Sequence, residues 1–250
     1  GGTLAAISAA TAPGTVSGLI LLSSPICFRP NESAFRDALV SLVPEPASES
    51  DPYPGSILSE ASAMASPDTF IWSRLRDAAL SAAGGRSMDI HARVERWALD
   101  EVPLPGKLVR EILESLYREN RFCRGMLKVG DKAIGLPDLS VPILAVVNTA
   151  DAVAPPASLG PMRDVLGPDR LHIVEYPGEA GVCLQHLGIL IGREAFAHIW
   201  PQIICWINAR QSAAGEAQPP GASGSVHGSM HEGQAADHPA RRDNDRSNHA

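Results

Sequence analysis

Positive charge is scarce in this chain, and so are clustered cysteines and long apolar runs. There are 21 Lys and Arg against 28 Asp and Glu, a formal net charge of −7 at pH 7. That balance argues against nucleic acid as the main partner, and no basic patch interleaves with aromatic residues. No apolar run reaches the length needed to span a bilayer, so no transmembrane segment is expected. No secretory leader is visible, and a chain opening Gly1-Gly2 in place of Met would not display one. Cys27, Cys123, Cys183 and Cys205 are widely spaced, with no CxxC. Neither a zinc site nor a disulfide framework is indicated, and the four read as buried thiols of a cytoplasmic protein.

What is present divides in two. From about Gln211 to Ala250 the chain has almost no aliphatic residues and is rich in Gly, Ser, Ala, Pro and charge. Such a stretch cannot bury enough apolar surface to offset chain entropy, so residues 211–250 are expected to be a disordered tail. Its histidines (His227, His231, His238, His249) are irregularly spaced, which favours a solvated tail over a metal site. Residues 1–210 suffice for one domain with a sizeable core. No cofactor or metal site is predicted.

Along that domain, Thr3 to Ala12 reads as a helix stopped by Pro13-Gly14. Gly18 to Ser24 is a continuous apolar run, as in a buried parallel strand. Asn31 is the expected N-cap of a helix through Val43. Residues 44–55 read as a loop. From Ile57 to Asn120 the pattern is helical, with a start at Ser66-Pro67-Asp68, a stop at Gly84-Gly85, a helix over Met88 to Leu99, and another after Pro105-Gly106. Trp97 reads as a core anchor. Met126 to Ile134 suggests a hairpin turning at Gly130-Asp131. Val141 to Asn148 is a second buried strand, Pro156 to Leu166 a helix, and Arg170 to Tyr176 a third strand. A helix over Glu194 to Asn208, kinked at Pro201, closes the domain. Alternating strands and helices imply an α/β fold with a parallel sheet covered on both faces. The helical stretch at about 44–125 fits a cap inserted over one sheet edge.

Three features carry chemistry. Gly1-Gly2 leading into a small-residue helix and then a strand looks like the back half of a nucleophile elbow, G-x-[S/C]-x-G-G. The nucleophile would then lie two residues before Gly1. Asp151 follows the second strand directly, where sites of open α/β sheets lie. It is either an acid that orients a histidine or a turn Asp capping the next helix. Of the histidines outside the tail, His91 and His198 fall in helices and His172 in a strand. Only His186 sits in a Gly-flanked loop after a strand. The order nucleophile, acid, histidine is that of α/β-hydrolases, which singles out His186 as general base. Asp100 is an acid at a helix end within the cap, where it opposes the dipole.

Taken together, these segments resemble the catalytic domain of polyhydroxyalkanoate synthases. Gly1-Gly2-Thr3 resembles the end of that family's G-x-C-x-G-G box. Leu21 to Phe28 resembles its L-L-T-T-P-x-D-F turn. Trp97 to Gly106 with Tyr117 and Asn120 resembles its W-x-x-D…P-G…Y-x-x-N signature. Val141 to Leu144 with Asp151 resembles its acid segment, and His186-Leu187-Gly188 its histidine loop. Cys27 stands where the family has Asp, and Gln185 where it has Gly. The resemblance implies an α/β-hydrolase fold lacking its N-terminal strands. It also implies a covalent acyl-enzyme that polymerises 3-hydroxyacyl-CoA, with Asp151 as triad acid and His186 as general base. Its implied partners are a second copy of the chain or a second synthase subunit, at the surface of cytoplasmic polymer granules. An esterase, thioesterase or polyester depolymerase would share the same triad, with water as acceptor. A non-catalytic fragment is the remaining alternative.

Overall fold

The computed structural model describes residues 1–44, 50–82 and 85–216. At its centre is a three-stranded parallel sheet in the order β1 (Leu19–Leu22), β6 (Ile143–Asn148), β7 (Leu171–Tyr176). Leu19 pairs with Ile143 and Leu22 with Val146; Ile143 pairs with Leu171 and Asn148 with Tyr176. Every residue of β6 is buried, as expected of a central parallel strand covered on both faces. Alternate residues serve opposite layers. Ile143, Ala145 and Val147 pack with Ala6, Ala9 and Ala10 of α1 (Gly2–Thr11) and with Met162 and Leu166 of α7 (Gly160–Arg170). Leu144 and Val146 pack with Ile189 of α8 (Gly188–Ile191) and with Ile199 and Ile203 near the closing helix α9 (Trp200–Glu216).

The first strand and the hairpin follow the sequence pattern closely. The hairpin pairs β4 (Leu127–Val129) with β5 (Lys132–Ile134) around Gly130, whose φ of 58° is left-handed. The first helix after β1, α2 (Ala34–Leu42), is capped by Ser33 in place of Asn31: the Ser33 hydroxyl accepts the Arg36 N–H at 3.1 Å. Asn31, with φ 66°, instead donates its N–H to Asp37 Oδ2 at 2.8 Å.

Between β1 and β6 lies a helical insertion. It contains α3 (Gly55–Ala65), α4 (Ser73–Ser81), α5 (Gly85–Leu99) and α6 (Gly106–Glu111), with β2 (Pro52–Tyr53) paired antiparallel to β3 (Leu104–Pro105). Wider π-helical turns, Asp68–Trp72 and Ile112–Arg118, prolong it. Its core is separate from that of the sheet and joins Phe35, Leu39, Tyr53, Val109 and Leu113. Trp97, expected as a core anchor, is instead 64% exposed on α5.

The cysteine expectation needs correction. Cys27, in the turn after β1, is disulfide-bonded to Cys123, with Cα atoms 5.3 Å apart. Two residues separated by most of the insertion are neighbours in space, which spacing alone did not reveal. Cys183 is a buried free thiol and Cys205 an exposed one. The closing helix continues to Glu216; residues 217–250, the bulk of the expected disordered tail, lie outside the described residues, as do Gly84 and residues 45–49. Among the described residues no helix is long and apolar enough to cross a membrane.

Candidate active site

Parallel strands deliver their carboxyl ends to one edge, and the chemistry-bearing residues gather there. After β6 the chain turns sharply. The Asn148 side chain, fully buried, accepts the Ala150 N–H at 2.9 Å, and Asp151 emerges from that turn. Asp151 Oδ1 accepts the Val153 and Ala154 amides at 2.8 and 3.2 Å. Its other oxygen, Oδ2, lies 2.8 Å from His186 Nδ1. One oxygen of Asp151 thus closes the turn and the other faces the histidine. The carboxylate is buried, whereas about a third of the His186 side chain is exposed. With Nδ1 turned to Asp151, Nε2 is the ring nitrogen that faces away from the carboxylate.

The loop that carries His186 is held from below by Asn148 and from within by Gln185. Asn148 Nδ2 donates to the Gln185 carbonyl at 2.6 Å. The Gln185 side chain bridges back to Glu179, donating to its carbonyl at 2.7 Å and accepting its N–H at 3.3 Å. Gln185 has negative φ, so the departure from Gly at this position leaves the histidine in reach of Asp151. Gly178 makes the loop's close approach possible: its φ is 77°, and a Cβ there would sit 2.6 Å from Gln185 Oε1.

A second set of contacts was not anticipated from sequence. Cys183 adopts a left-handed φ of 63°, uncommon for a residue with a side chain. Its N–H donates to Asp77 Oδ2 at 3.0 Å, and its thiol to Glu95 Oε1 at 3.2 Å. Arg74 in turn donates Nε to Glu95 Oε1 at 2.7 Å and Nη2 to Oε2. Burial, and then the Glu95 carboxylate, push the Cys183 thiol up to about 12. The Arg74 guanidinium holds Glu95 below the usual carboxylate range. Asp77 and Glu95 look ordinary along the sequence because their partner is so distant.

Other marked residues lie elsewhere. Asp100 is exposed after α5. His172 and His198 are exposed, and His91 is buried on α5. Tyr117 and Asn120 meet the turn after β1: Phe28 stacks on Tyr117 with centroids 4.3 Å apart, and its N–H donates to Asn120 Oδ1 at 2.9 Å.

His186 opens onto a cavity of about 320 Å³ lined chiefly by apolar side chains, among them Phe35, Leu39, Phe70, Val109 and Leu113. Leu184, Phe70 and Leu58 continue into a second cavity of about 660 Å³ toward α5. The start of α1 also reaches this edge. Thr3 Oγ1 donates to the Pro25 carbonyl just past β1 at 2.6 Å. A Cβ on Gly2 would sit 1.8 Å from Ser24 Oγ, so helix and strand meet there only because residue 2 has no side chain.

Comparison with known proteins leads to one family name. No family model matches the chain. It is 24% identical over 124 residues to a poly(3-hydroxyalkanoate) polymerase subunit PhaC of Haloarcula marismortui, covering 50% of this chain and 25% of that protein. The Haloferax mediterranei protein of the same name is 25% identical over 128 residues, covering 51% and 25%. The Synechocystis one is 27% identical over 120 residues, covering 48% and 30%. The matches thus span between a quarter and a third of these relatives' length. Over about half its length the chain is thus similar to poly(3-hydroxyalkanoate) polymerase subunits, the family that its own motifs resemble.

Proposed function

We propose that this chain supplies the acid and the histidine of an α/β-hydrolase-type triad that polymerises 3-hydroxyacyl-CoA. The observation that carries the reading is the 2.8 Å contact between buried Asp151 and partly exposed His186 at the carboxyl edge of a parallel sheet. Similarity to polymerase subunits supports the transferase class.

In this reading the nucleophile precedes Gly1 in the elbow that ends with Gly1-Gly2. Its proton passes to His186 Nε2, and Asp151 stabilises the imidazolium through Nδ1. The nucleophile attacks the thioester carbonyl, the carbon–sulfur bond to coenzyme A breaks, and the leaving thiolate takes the proton from His186. The 3-hydroxyl of a second acyl unit then gives its proton to His186 and attacks the acyl-enzyme. A new ester forms, the bond between the acyl carbon and the nucleophile breaks, and His186 returns the proton to the nucleophile. The insertion acts as a cap, and its apolar cavity of about 320 Å³ beside His186 holds the acyl chain while excluding water.

The test is incubation of the intact gene product with 3-hydroxybutyryl-CoA. Coenzyme A release with polymer is expected. Coenzyme A release with only free 3-hydroxybutyrate would replace the synthase reading by that of a thioesterase.

A further inference from the structure

His91 and Glu95 lie one turn apart on α5, so they share a helix face. The histidine loop brings Cys183 to them. Cys183 Sγ is 3.2 Å from Glu95 Oε1, and His91 Nε2 is 3.9 Å from the same oxygen. One nitrogen, one oxygen and one sulfur from these residues lie within 4.8 Å of one another. His91 is 8% exposed, yet its Nδ1 has no hydrogen-bond partner. Buried histidines normally satisfy such a nitrogen, so this one calls for an explanation.

We propose that His91, Glu95 and Cys183 form a binding site for a divalent cation of borderline softness, with zinc the best fit, that ties the helical insertion to the loop carrying His186. Imidazole, carboxylate and thiolate are the donor types that zinc takes, and three protein ligands leave one position for water. Charge favours the same ion. With the thiol protonated, the Glu95 and Asp77 carboxylates outweigh Arg74 by one negative charge. A dication that replaces the thiol proton brings the group to neutrality. The step balances: the S–H bond breaks, a sulfur–metal bond forms, and the proton leaves to solvent. Arg74, on both Glu95 oxygens, is the orienting partner of a ligating carboxylate. Cys183 and Arg74 also line the cavity of about 660 Å³, which gives an ion its way in. The inference stands independently of the acyl-transfer reading.

The test is titration of metal-stripped full-length chain with Co²⁺. The expected result is a saturable thiolate-to-cobalt charge-transfer band in the near ultraviolet that Zn²⁺ abolishes. Cys183→Ser should remove the band and Cys205→Ser should leave it. Co²⁺ on the tail histidines gives no sulfur band, so it cannot imitate the result. Should Cys183→Ser fail to fold, His91→Gln decides: affinity should fall at least about tenfold. The proposal is overturned by wild-type protein without a sulfur band, by a band that survives Cys183→Ser, or by unchanged affinity in His91→Gln.

Discussion

The loop that carries His186 is gripped from two sides by carboxylates, and the two grips are built differently. On the sheet side, Asp151 sits where β6 ends, and the two amides that complete it come from the next few residues. On the insertion side, Asp77 and Glu95 reach Cys183 across sequence separations of 106 and 88 residues. The sheet-side grip is a local consequence of a strand end followed by a turn. The insertion-side grip exists only when α4 and α5 are seated correctly. One region fixes Asp151, while the other decides where the histidine loop rests.

That contrast is open to attack at both ends, and the sheet side should give the largest effect. Asp151→Asn in the intact gene product should reduce 3-hydroxybutyryl-CoA turnover by roughly a thousandfold or more, through loss of the charge that stabilises the imidazolium. The fold should persist by circular dichroism. A modest loss would mean that the acid acts only as a turn cap.

The disulfide comes next in size. Opening the Cys27–Cys123 bond by reduction, or by Cys27→Ser, should cost about 2–4 kcal/mol in chemical unfolding. Mass spectrometry after alkylation without reductant should find two free thiols, at Cys183 and Cys205. Four free thiols would return the turn after β1 to the reduced state that the sequence suggested.

On the insertion side, Asp77→Ala removes the acceptor for a buried N–H and should cost about 1–3 kcal/mol. Its signature is selective: hydrogen exchange should rise in residues 177–187 more than in β6. Uniform acceleration would show that Asp77 supports the insertion alone.

The smallest effect is a pH limb. Burial, then the Glu179 carboxylate that accepts the Tyr176 hydroxyl at 2.6 Å, raise the Tyr176 phenol well above its usual 10. A raised folded value means that the unfolded chain loses its proton first. The contribution is therefore whole below about pH 10 and lost as pH rises beyond it. Alkaline unfolding should show a shallower stability decline in Tyr176→Phe than in wild type.

These differences in construction explain what was legible in the sequence. Runs such as Ile143 to Asn148 and Leu19 to Leu22 announce buried parallel strands because their continuous apolarity has few other uses. That Asp151 and His186 meet followed from position, since each lies in the loop after a strand of the sheet. The Cys27–Cys123 bond and the Asp77–Glu95–Cys183 contacts were invisible because no local pattern encodes partners so far apart. Trp97 misled for a related reason. A large aromatic on a helix suggests burial, but whether its face is covered depends on what packs against α5. Ser33 displaced Asn31 as the cap because only Ser33 is extended and directs its hydroxyl to the third amide of the helix.

The most direct single measurement compares 3-hydroxybutyryl-CoA turnover by the intact gene product with that of His186→Ala and of His172→Ala, a histidine exposed on β7. A drop of about a thousandfold or more in the first variant, beside near-normal rates in the second, is the expected pattern. Near-normal turnover in His186→Ala would remove this imidazole from the chemistry, and the acyl-transfer reading with it.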